Sequence, residues 1–155
     1  MTLFTTDDLA AAQALVYRQM SPTAQIAWPQ LSLEIGAEVV VKHENHAPTG
    51  AFKVRGGITF IDWLRREHPE ARGIVTATRG NHGQSQARAA TAAGLEAKIY
   101  VPEGNSVEKN AAMKAYGAEL TVHGRDFDEA REEAMRVAAA GDYYPVPPFH
   151  TELVR

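Results

Sequence analysis

The middle and end of this chain alternate between short apolar runs and amphipathic segments, and this alternation limits the possible folds more than any other feature. Strands are predicted over residues 73–78, 97–101 and 119–122. Segments with helical spacing follow them at residues 81–93, 106–116 and 126–140. Regular alternation of this kind produces right-handed crossovers and a parallel sheet with helices on both faces. We therefore predict an α/β fold with a parallel sheet flanked by helices.

Glycines and a capping residue mark the predicted ends of these helices. Gly94, Gly117 and Gly141 follow the three helical segments, as is typical of residues that end a helix. Asp126 and Glu129 have the spacing of a capping box at the start of the third segment.

The N-terminal third is less regular. Thr6 is predicted to cap a first helix, which carries Asp7 and Asp8 in its first turn and ends at Ser21 and Pro22. The other predicted elements are a short helix or irregular segment at 28–36, a strand at 38–44, a helix at 51–67 and a last strand at 142–146.

Composition sets the broad class of protein. With 155 residues, 45% of them hydrophobic, the chain has the size of one domain and can bury a core. Its net charge of -3 gives no electrostatic reason to expect nucleic acid or an anionic membrane. The absence of cysteine excludes disulfides and cysteine-ligated zinc. No signal peptide or membrane span is evident, so a cytoplasmic protein is predicted.

The segment PTGAFKVRGG, residues 48–57, sets Lys53 directly after small and turn-forming residues, where a loop becomes a helix. An amine attacks an aldehyde only in its neutral form, which burial or a nearby positive helix terminus favours. The position therefore suits a lysine that bonds covalently to an aldehyde cofactor. A solvated helix lysine is the alternative, because most lysines lie on the surface.

A second motif, TRGNHGQ at residues 78–84, lies where a predicted strand leads into a helix, a place where ligands bind in parallel sheets. Gly80 and Gly83 let the backbone approach a ligand closely, and free amides at a helix start attract an anion. A plain helix cap, with Asn81 capping and Gly80 turning, is the alternative. The motif matches neither a dinucleotide fingerprint nor a P-loop, so nucleotide binding is weakly supported.

The histidines give little indication of a metal site. His43, Glu44 and His46 resemble a zinc-binding HExxH motif but are one residue short of it. On a strand the two histidines would face opposite sides, whereas metal ligands must converge. No metal is predicted.

Taken together, the two motifs resemble the fold-type II (tryptophan synthase beta-like) pyridoxal-phosphate enzymes, and most closely the threonine/serine dehydratase (ammonia-lyase) and serine racemase branch. The sequence VPEG at 101–104 and the segment 108–118 fit the same pattern. The resemblance covers most of residues 38–141. It implies pyridoxal 5'-phosphate as the cofactor, a small amino acid as the substrate and a dimeric assembly.

The resemblance also implies residue roles. Lys53 would hold the cofactor and later take the α proton of the substrate, Phe52 would pack near the cofactor ring, and Asn81 would hydrogen-bond its phenolic oxygen. The substrate carboxylate would be bound by the loop that comprises Thr78, Arg79, Gly80, Asn81 and His82. The implied reaction converts a hydroxy amino acid of the threonine or serine type, or a hydroxylated acidic one, to a 2-oxo acid and ammonia.

Two departures from the family pattern matter. Arg79 stands where members of this branch often have a serine, which serves racemases as the second acid/base. Arginine is always charged and cannot fill that role, so the substitution argues against racemisation and suits an acidic substrate group. In the family, the glycine-rich phosphate cradle and the residue that faces the pyridine nitrogen come later in the chain, and neither is present by Arg155.

The resemblance predicts a truncated fold. Residues 1–50 would belong to a larger domain, residues 51–145 would form a smaller α/β domain, and residues 146–155 would begin the return to the larger one. Such a piece alone would bind cofactor weakly and be nearly inactive. The alternative hypothesis is a non-catalytic half-fold that acts as a binding or assembly module; a nucleotide-binding domain ranks third.

Overall fold

The computed structural model describes residues 4–154. Its helices are α1 (Thr6–Val16), α2 (Pro29–Ile35), α3 (Lys53–Glu67), α4 (Asn81–Ala92), α5 (Val107–Ala115), α6 (Phe127–Ala139) and α7 (Thr151–Val154). Its strands are β1 (Gln25–Ala27), β2 (Val40–Lys42), β3 (Gly73–Ala77), β4 (Glu96–Val101), β5 (Glu119–Val122) and β6 (Tyr143–Pro145). A single 3-10 turn among these residues spans Glu44–His46.

A four-stranded parallel sheet organises the fold, as the sequence predicts. Its strands lie in the order β5-β4-β3-β6, and all three pairings are parallel. The chain moves outwards from β3 to β5 and then returns to pair β6 on the other side of β3. Because the strand order reverses between β3 and β6, a crevice opens beyond the carboxyl ends of these two strands, where ligands bind in such sheets.

Two helical layers cover this sheet. On one face α6 packs through Ala130 and Ala134 against Val75 and Tyr100. On the other face α3 and α4 enclose an apolar cluster with the sheet, composed of Phe60, Ile61, Leu64, Ile74, Ala89, Ala90, Ala97 and Val146. Strand β3 is buried along its whole length between the two layers. A separate antiparallel pair, β1 and β2, lies outside this sheet.

The first helix begins differently from the prediction. Thr5, and not Thr6, is its N-cap: the Thr5 hydroxyl accepts from the Asp8 amide, and the Asp8 carboxylate accepts from the Thr5 amide at 2.8 Å. This reciprocal pair requires a carboxylate three residues after the cap, and only Thr5 of the two threonines has Asp8 at that position. The helix ends at Val16, earlier than Ser21, and a turn follows.

Three further boundaries are corrected or decided by the structure. The segment predicted over 28–36 is helical from Pro29 to Ile35, and Gly36 ends α2 in the left-handed conformation with a φ of 73°. The strand predicted over 38–44 is confined to β2, because the 3-10 turn begins at Glu44. The capping box of α6 is half wrong: Asp126 caps the helix, whereas the Glu129 carboxylate accepts from the Arg125 amide at 2.8 Å.

Helices α3 and α4 approach closely where Gly57 meets Ser85. The Ser85 hydroxyl donates to the Lys53 carbonyl at 2.6 Å, which ties α4 to the first turn of α3. A Cβ atom on Gly57 would overlap that hydroxyl and lie 2.9 Å from the Ser85 carbonyl oxygen. A side chain at position 57 would therefore push apart the two helices that carry the candidate site.

We expect the Gly57→Ala substitution to lower the free energy of unfolding by about 2 kcal/mol, the usual cost of overpacking a close contact. Urea unfolding measures the change. Glu67→Ala, an exposed position on the same helix whose ion pair with Arg66 is a surface contact, is the control and should change stability little. Equal stability of Gly57→Ala and the wild type would show that the two helices separate without cost.

Candidate active site

A cavity of about 720 Å³ lies beside the start of α3. Helix α1, the first turns of α3, one face of α4 and the segment that ends in α7 form its walls. Among the residues that the sequence analysis selects, Lys53, Phe52 and His82 line this cavity. The structure thus brings residues from both sequence motifs to one opening.

Lys53 is the first residue of α3 and is half-buried. The turn that precedes it depends on Gly50, whose φ of 67° lies in the left-handed region that favours glycine. The next residue, Val54, is fully buried against Val16 and Ala47, which fixes the start of the helix to the body of the protein. Phe52 is 63% exposed and stands beside the lysine on the cavity wall.

The loop between β3 and α4 is held in shape by Thr78. Its buried hydroxyl accepts from the Gly80 amide at 3.1 Å and from the Gly83 amide at 3.3 Å. Gly83 has no room for a side chain, because a Cβ atom there would meet Thr78 and Met113. Two amides that the sequence analysis offers to a ligand are therefore already bonded within the loop.

Three other amides of this loop remain available. Within residues 4–154, the backbone amides of Arg79, Asn81 and His82 donate to no acceptor. The side chains of Arg79 and Asn81 are exposed. Thr78, Arg79, Gly80 and Asn81 do not line the large cavity; they form the loop that leads to His82, which does line it.

His82 is 6% exposed, and its ring lies at the reversal of strand order. The Thr76 hydroxyl donates to the Val146 carbonyl at 2.6 Å, and His82 Nε2 lies 3.2 Å from that hydroxyl oxygen and 3.4 Å from that carbonyl. Both neighbours can accept, so Nε2 carries the proton of the neutral ring. Burial lowers the pKa of His82 to about 4; the positive charge of Lys53 contributes to the lowering, and the hydrogen bond to Val146 opposes it. The imidazole is therefore neutral near pH 7.

The HExxH-like residues have other partners. The Glu44 carboxylate accepts two hydrogen bonds from Arg55, each 2.9 Å long, and one from Thr23 at 2.6 Å. The bonds from Arg55 are the main cause that lowers the pKa of Glu44. His43 Nε2 accepts from the Trp28 indole at 3.3 Å. No group of three metal-ligating side chains occurs in the described part of the chain.

Gln86 is a polar residue of the cavity that the sequence analysis missed. It lies one turn after His82 on α4, is 0% exposed and lines the cavity. Both its amide nitrogen and its amide oxygen are buried without a partner among the described residues. A buried amide left unbonded is costly, so the cavity offers an unused donor and acceptor to a polar group. The sequence gives little signal, because α4 contains a second buried glutamine, Gln84, and only the structure distinguishes the two.

Comparison with known proteins decides the family. The family model described as "Pyridoxal-phosphate dependent enzyme" matches residues 16–155. The chain belongs to this pyridoxal-phosphate dependent enzyme family. The predicted resemblance and the predicted cofactor are thereby confirmed.

Individual relatives agree with this assignment. The chain is 35% identical over 131 residues to an L-threonine dehydratase of Pasteurella multocida, covering 84% of this chain and 25% of that protein. It is 31% identical over 149 residues to a serine racemase of Schizosaccharomyces pombe, covering 96% of this chain and 46% of that protein. The chain thus spans between a quarter and a half of the length of these curated relatives.

Solved structures show the same fold. A pyridoxal 5'-phosphate-dependent aspartate racemase superposes with a TM-score of 0.88 at 27% identity, covering 96% of this chain and 47% of that one. The processed form of threonine deaminase isoform 2 from Solanum lycopersicum superposes with a TM-score of 0.82 at 27% identity, covering 97% of this chain and 45% of that one. The predicted fold-type II architecture is confirmed.

The cavity suits the cofactor of this pyridoxal-phosphate dependent family. It combines a half-buried lysine, an exposed aromatic face from Phe52 and the unbonded amide of Gln86. A flat, polar heteroaromatic group needs this mixture of apolar wall and hydrogen-bonding atoms.

We expect the Gln86→Met substitution to raise the free energy of unfolding of the ligand-free chain by about 1 kcal/mol, because it removes an unbonded buried amide at nearly constant volume. Thermal unfolding measures this change. Gln30→Met, an exposed glutamine on α2, is the matched control. A destabilised Gln86→Met would mean that the amide finds a partner in solution.

Proposed function

We propose that this protein dehydrates and deaminates a hydroxy amino acid to a 2-oxo acid and ammonia. The observation that carries the proposal is the convergence of Lys53 and His82 on one cavity, with three free loop amides next to it. The curated threonine dehydratase relatives support the same reaction. When bound, pyridoxal phosphate supplies an electron sink for the negative charge left at Cα.

Each residue has a distinct proposed role. The side-chain amine of Lys53 holds the cofactor and then takes the α proton of the substrate. Phe52 would pack against the cofactor ring, and the exposed amide side chain of Asn81 would donate to its phenolic oxygen, since amides donate readily to an anionic acceptor. The backbone amides of Arg79, Asn81 and His82 bind the substrate carboxylate, as free amides at a helix start do.

Thr78, Gly80 and His82 would shape the site. Thr78 holds the loop through its two accepted hydrogen bonds, so the free amides point in a fixed direction. Neutral His82 adds no second positive charge beside the Lys53 amine. After the α proton and the β hydroxyl leave as water, the product enamine takes up water and releases ammonia.

The domain division is also a proposal. Residues 51–145 would form the smaller domain, and residues 1–50 and 146–155 would belong to a larger one. Val16, the last residue of α1, and Met20, in the turn that follows, pack against Val54 and Ile58 of α3 beside the cavity, so the two parts would be in contact. No helix within residues 4–154 is long and apolar enough to span a bilayer. A dimer and a cytoplasmic location remain predictions.

Product analysis tests the proposed reaction. The protein expressed from its complete reading frame is incubated with pyridoxal phosphate and a panel of L-serine, L-threonine and 3-hydroxyaspartate. We expect equal amounts of a 2-oxo acid and ammonia from at least one substrate, and no D-enantiomer, because Arg79 cannot serve as a second acid/base. Absence of 2-oxo acid with every substrate would refute the proposed function and favour the non-catalytic alternative.

A further inference from the structure

Among the arginines within residues 4–154, Arg79 is unusual because none of these residues gives it an ion-pair or hydrogen-bond partner. Six arginines form ion pairs with carboxylates: Arg55, Arg66, Arg72, Arg125, Arg131 and Arg136. Arg65 and Arg88 donate to backbone carbonyls. Within the described range, only Arg18 and Arg79 have neither kind of contact, and of these two only Arg79 belongs to the loop between β3 and α4 that leads to His82.

A second unpaired cation lies beside the same loop. Lys109, on α5, crosses over Gly80 so closely that a Cβ atom on Gly80 would lie 2.5 Å from its Cδ and 3.1 Å from its Nζ. Lys109 forms no ion pair with any carboxylate of residues 4–154. Arg79, next to Gly80 in the sequence, and Lys109, which lies against Gly80, therefore bring two positive charges to this loop in a chain whose net charge is -3.

These cations exceed what a substrate with one carboxylate requires. The three free amides of Arg79, Asn81 and His82 already provide a site for the α-carboxylate. Independently, the two buried polar atoms of Gln86 lack partners among residues 4–154, which favours a polar ligand in the adjoining cavity. A second anionic group on the substrate would neutralise the side chains that flank Gly80.

We propose that Arg79, with Lys109 beside it, binds the side-chain carboxylate of the substrate, so that the preferred substrate is a hydroxy amino acid with a second carboxylate. This inference rests on the proposed function and names its substrate class. The arginine fork matches a carboxylate in two parallel hydrogen bonds, which a serine or threonine side chain cannot accept. The substrate loses its α proton and β hydroxyl as water, then takes up water and releases ammonia. The product is a 2-oxo dicarboxylic acid, and no oxidant is consumed.

Specificity constants test the inference. The protein from the complete reading frame is assayed with threo- and erythro-3-hydroxyaspartate, L-serine and L-threonine. We expect one 3-hydroxyaspartate isomer to have a kcat/KM at least about 100-fold above that of serine, since a site built to bond a polar group rejects analogues that lack it. In Arg79→Gln we expect the ratio of kcat/KM for 3-hydroxyaspartate to kcat/KM for serine to fall by about 100-fold, mostly through a higher KM for 3-hydroxyaspartate. Arg79→Lys should restore part of this ratio. Arg18→Gln, the other unpaired arginine, leaves the ratio unchanged.

A binding measurement separates a substrate contact from a structural role. L-Aspartate carries both carboxylates but no hydroxyl to eliminate, and L-alanine carries one carboxylate. We expect aspartate, and not alanine, to raise the melting temperature of the wild-type protein, and Arg79→Gln to lose this shift. A wild type that prefers serine or threonine, or an Arg79→Gln variant that loses activity equally on all substrates, would overturn the inference and leave the proposed function standing. A protein inactive on all four substrates refutes the proposed function itself.

Discussion

Replacement of Lys53 by alanine is expected to lower turnover by about 10⁴-fold, the upper range for loss of a general base, because one amine both holds the cofactor and moves the proton. Lys53 begins α3 on the cavity wall, and the packing of Val54 and the Ser85 hydrogen bond to the Lys53 carbonyl fix that turn. These contacts involve the backbone and the next side chain. The substitution should therefore remove the chemistry and leave the fold.

Two measurements distinguish this role from a structural one. Borohydride reduction in the presence of pyridoxal phosphate, followed by peptide mass mapping, should label the peptide that contains Lys53 and no other. Lys114→Ala, an exposed lysine on α5, is the matched control and should keep both label and activity. Label on another lysine, or an active Lys53→Ala protein, would disprove the assignment. An unchanged melting temperature of Lys53→Ala would not rescue it.

The parallel sheet is the part of the fold that the sequence predicts best, because its inner strand β3 is buried on both faces and consists mostly of apolar residues. The position of the loop after β3 beside the cavity is predictable for a related reason, because the carboxyl ends of parallel strands meet at one edge of the sheet, where ligands bind. The cap of α1 is less predictable, since adjacent threonines compete and the choice depends on the partner Asp8.

Gln86 and His82 show what sequence patterns leave out. Gln86 lacks a partner among residues 4–154 because its amide faces a cavity. The walls of this cavity come from α1, α3 and the segment around Leu153, which are far apart in the chain. The sequence places His82 in the carboxylate loop, but its burial depends on β6 pairing with β3 and bringing Val146 to the ring. Long-range contacts of this kind carry no local signal.

The neutral state of His82 makes stability depend on pH in a defined range. A histidine in an unfolded chain has a pKa of about 6.5, whereas burial, helped by the Lys53 charge, lowers the pKa of folded His82 to about 4. Between these values the unfolded chain binds more protons than the folded one, so the free energy of unfolding rises with pH. The contribution of His82, about 3 kcal/mol in total, is fully present above about pH 6.5 and is lost as the pH falls through about 4.

Urea unfolding at pH 7 and pH 5 tests this dependence, and comparison of matched variants cancels the contribution of carboxylates, which are partly protonated at pH 5. We expect the wild type to lose about 2 kcal/mol between these values and His82→Gln to lose little, because glutamine can donate to Thr76 and Val146 without titrating. His123→Gln, an exposed histidine, is the control and should keep the wild-type dependence. If His82→Gln kept the full dependence, another group would be responsible. The neutral ring beside Lys53, on which the proposed role of His82 depends, would then be excluded.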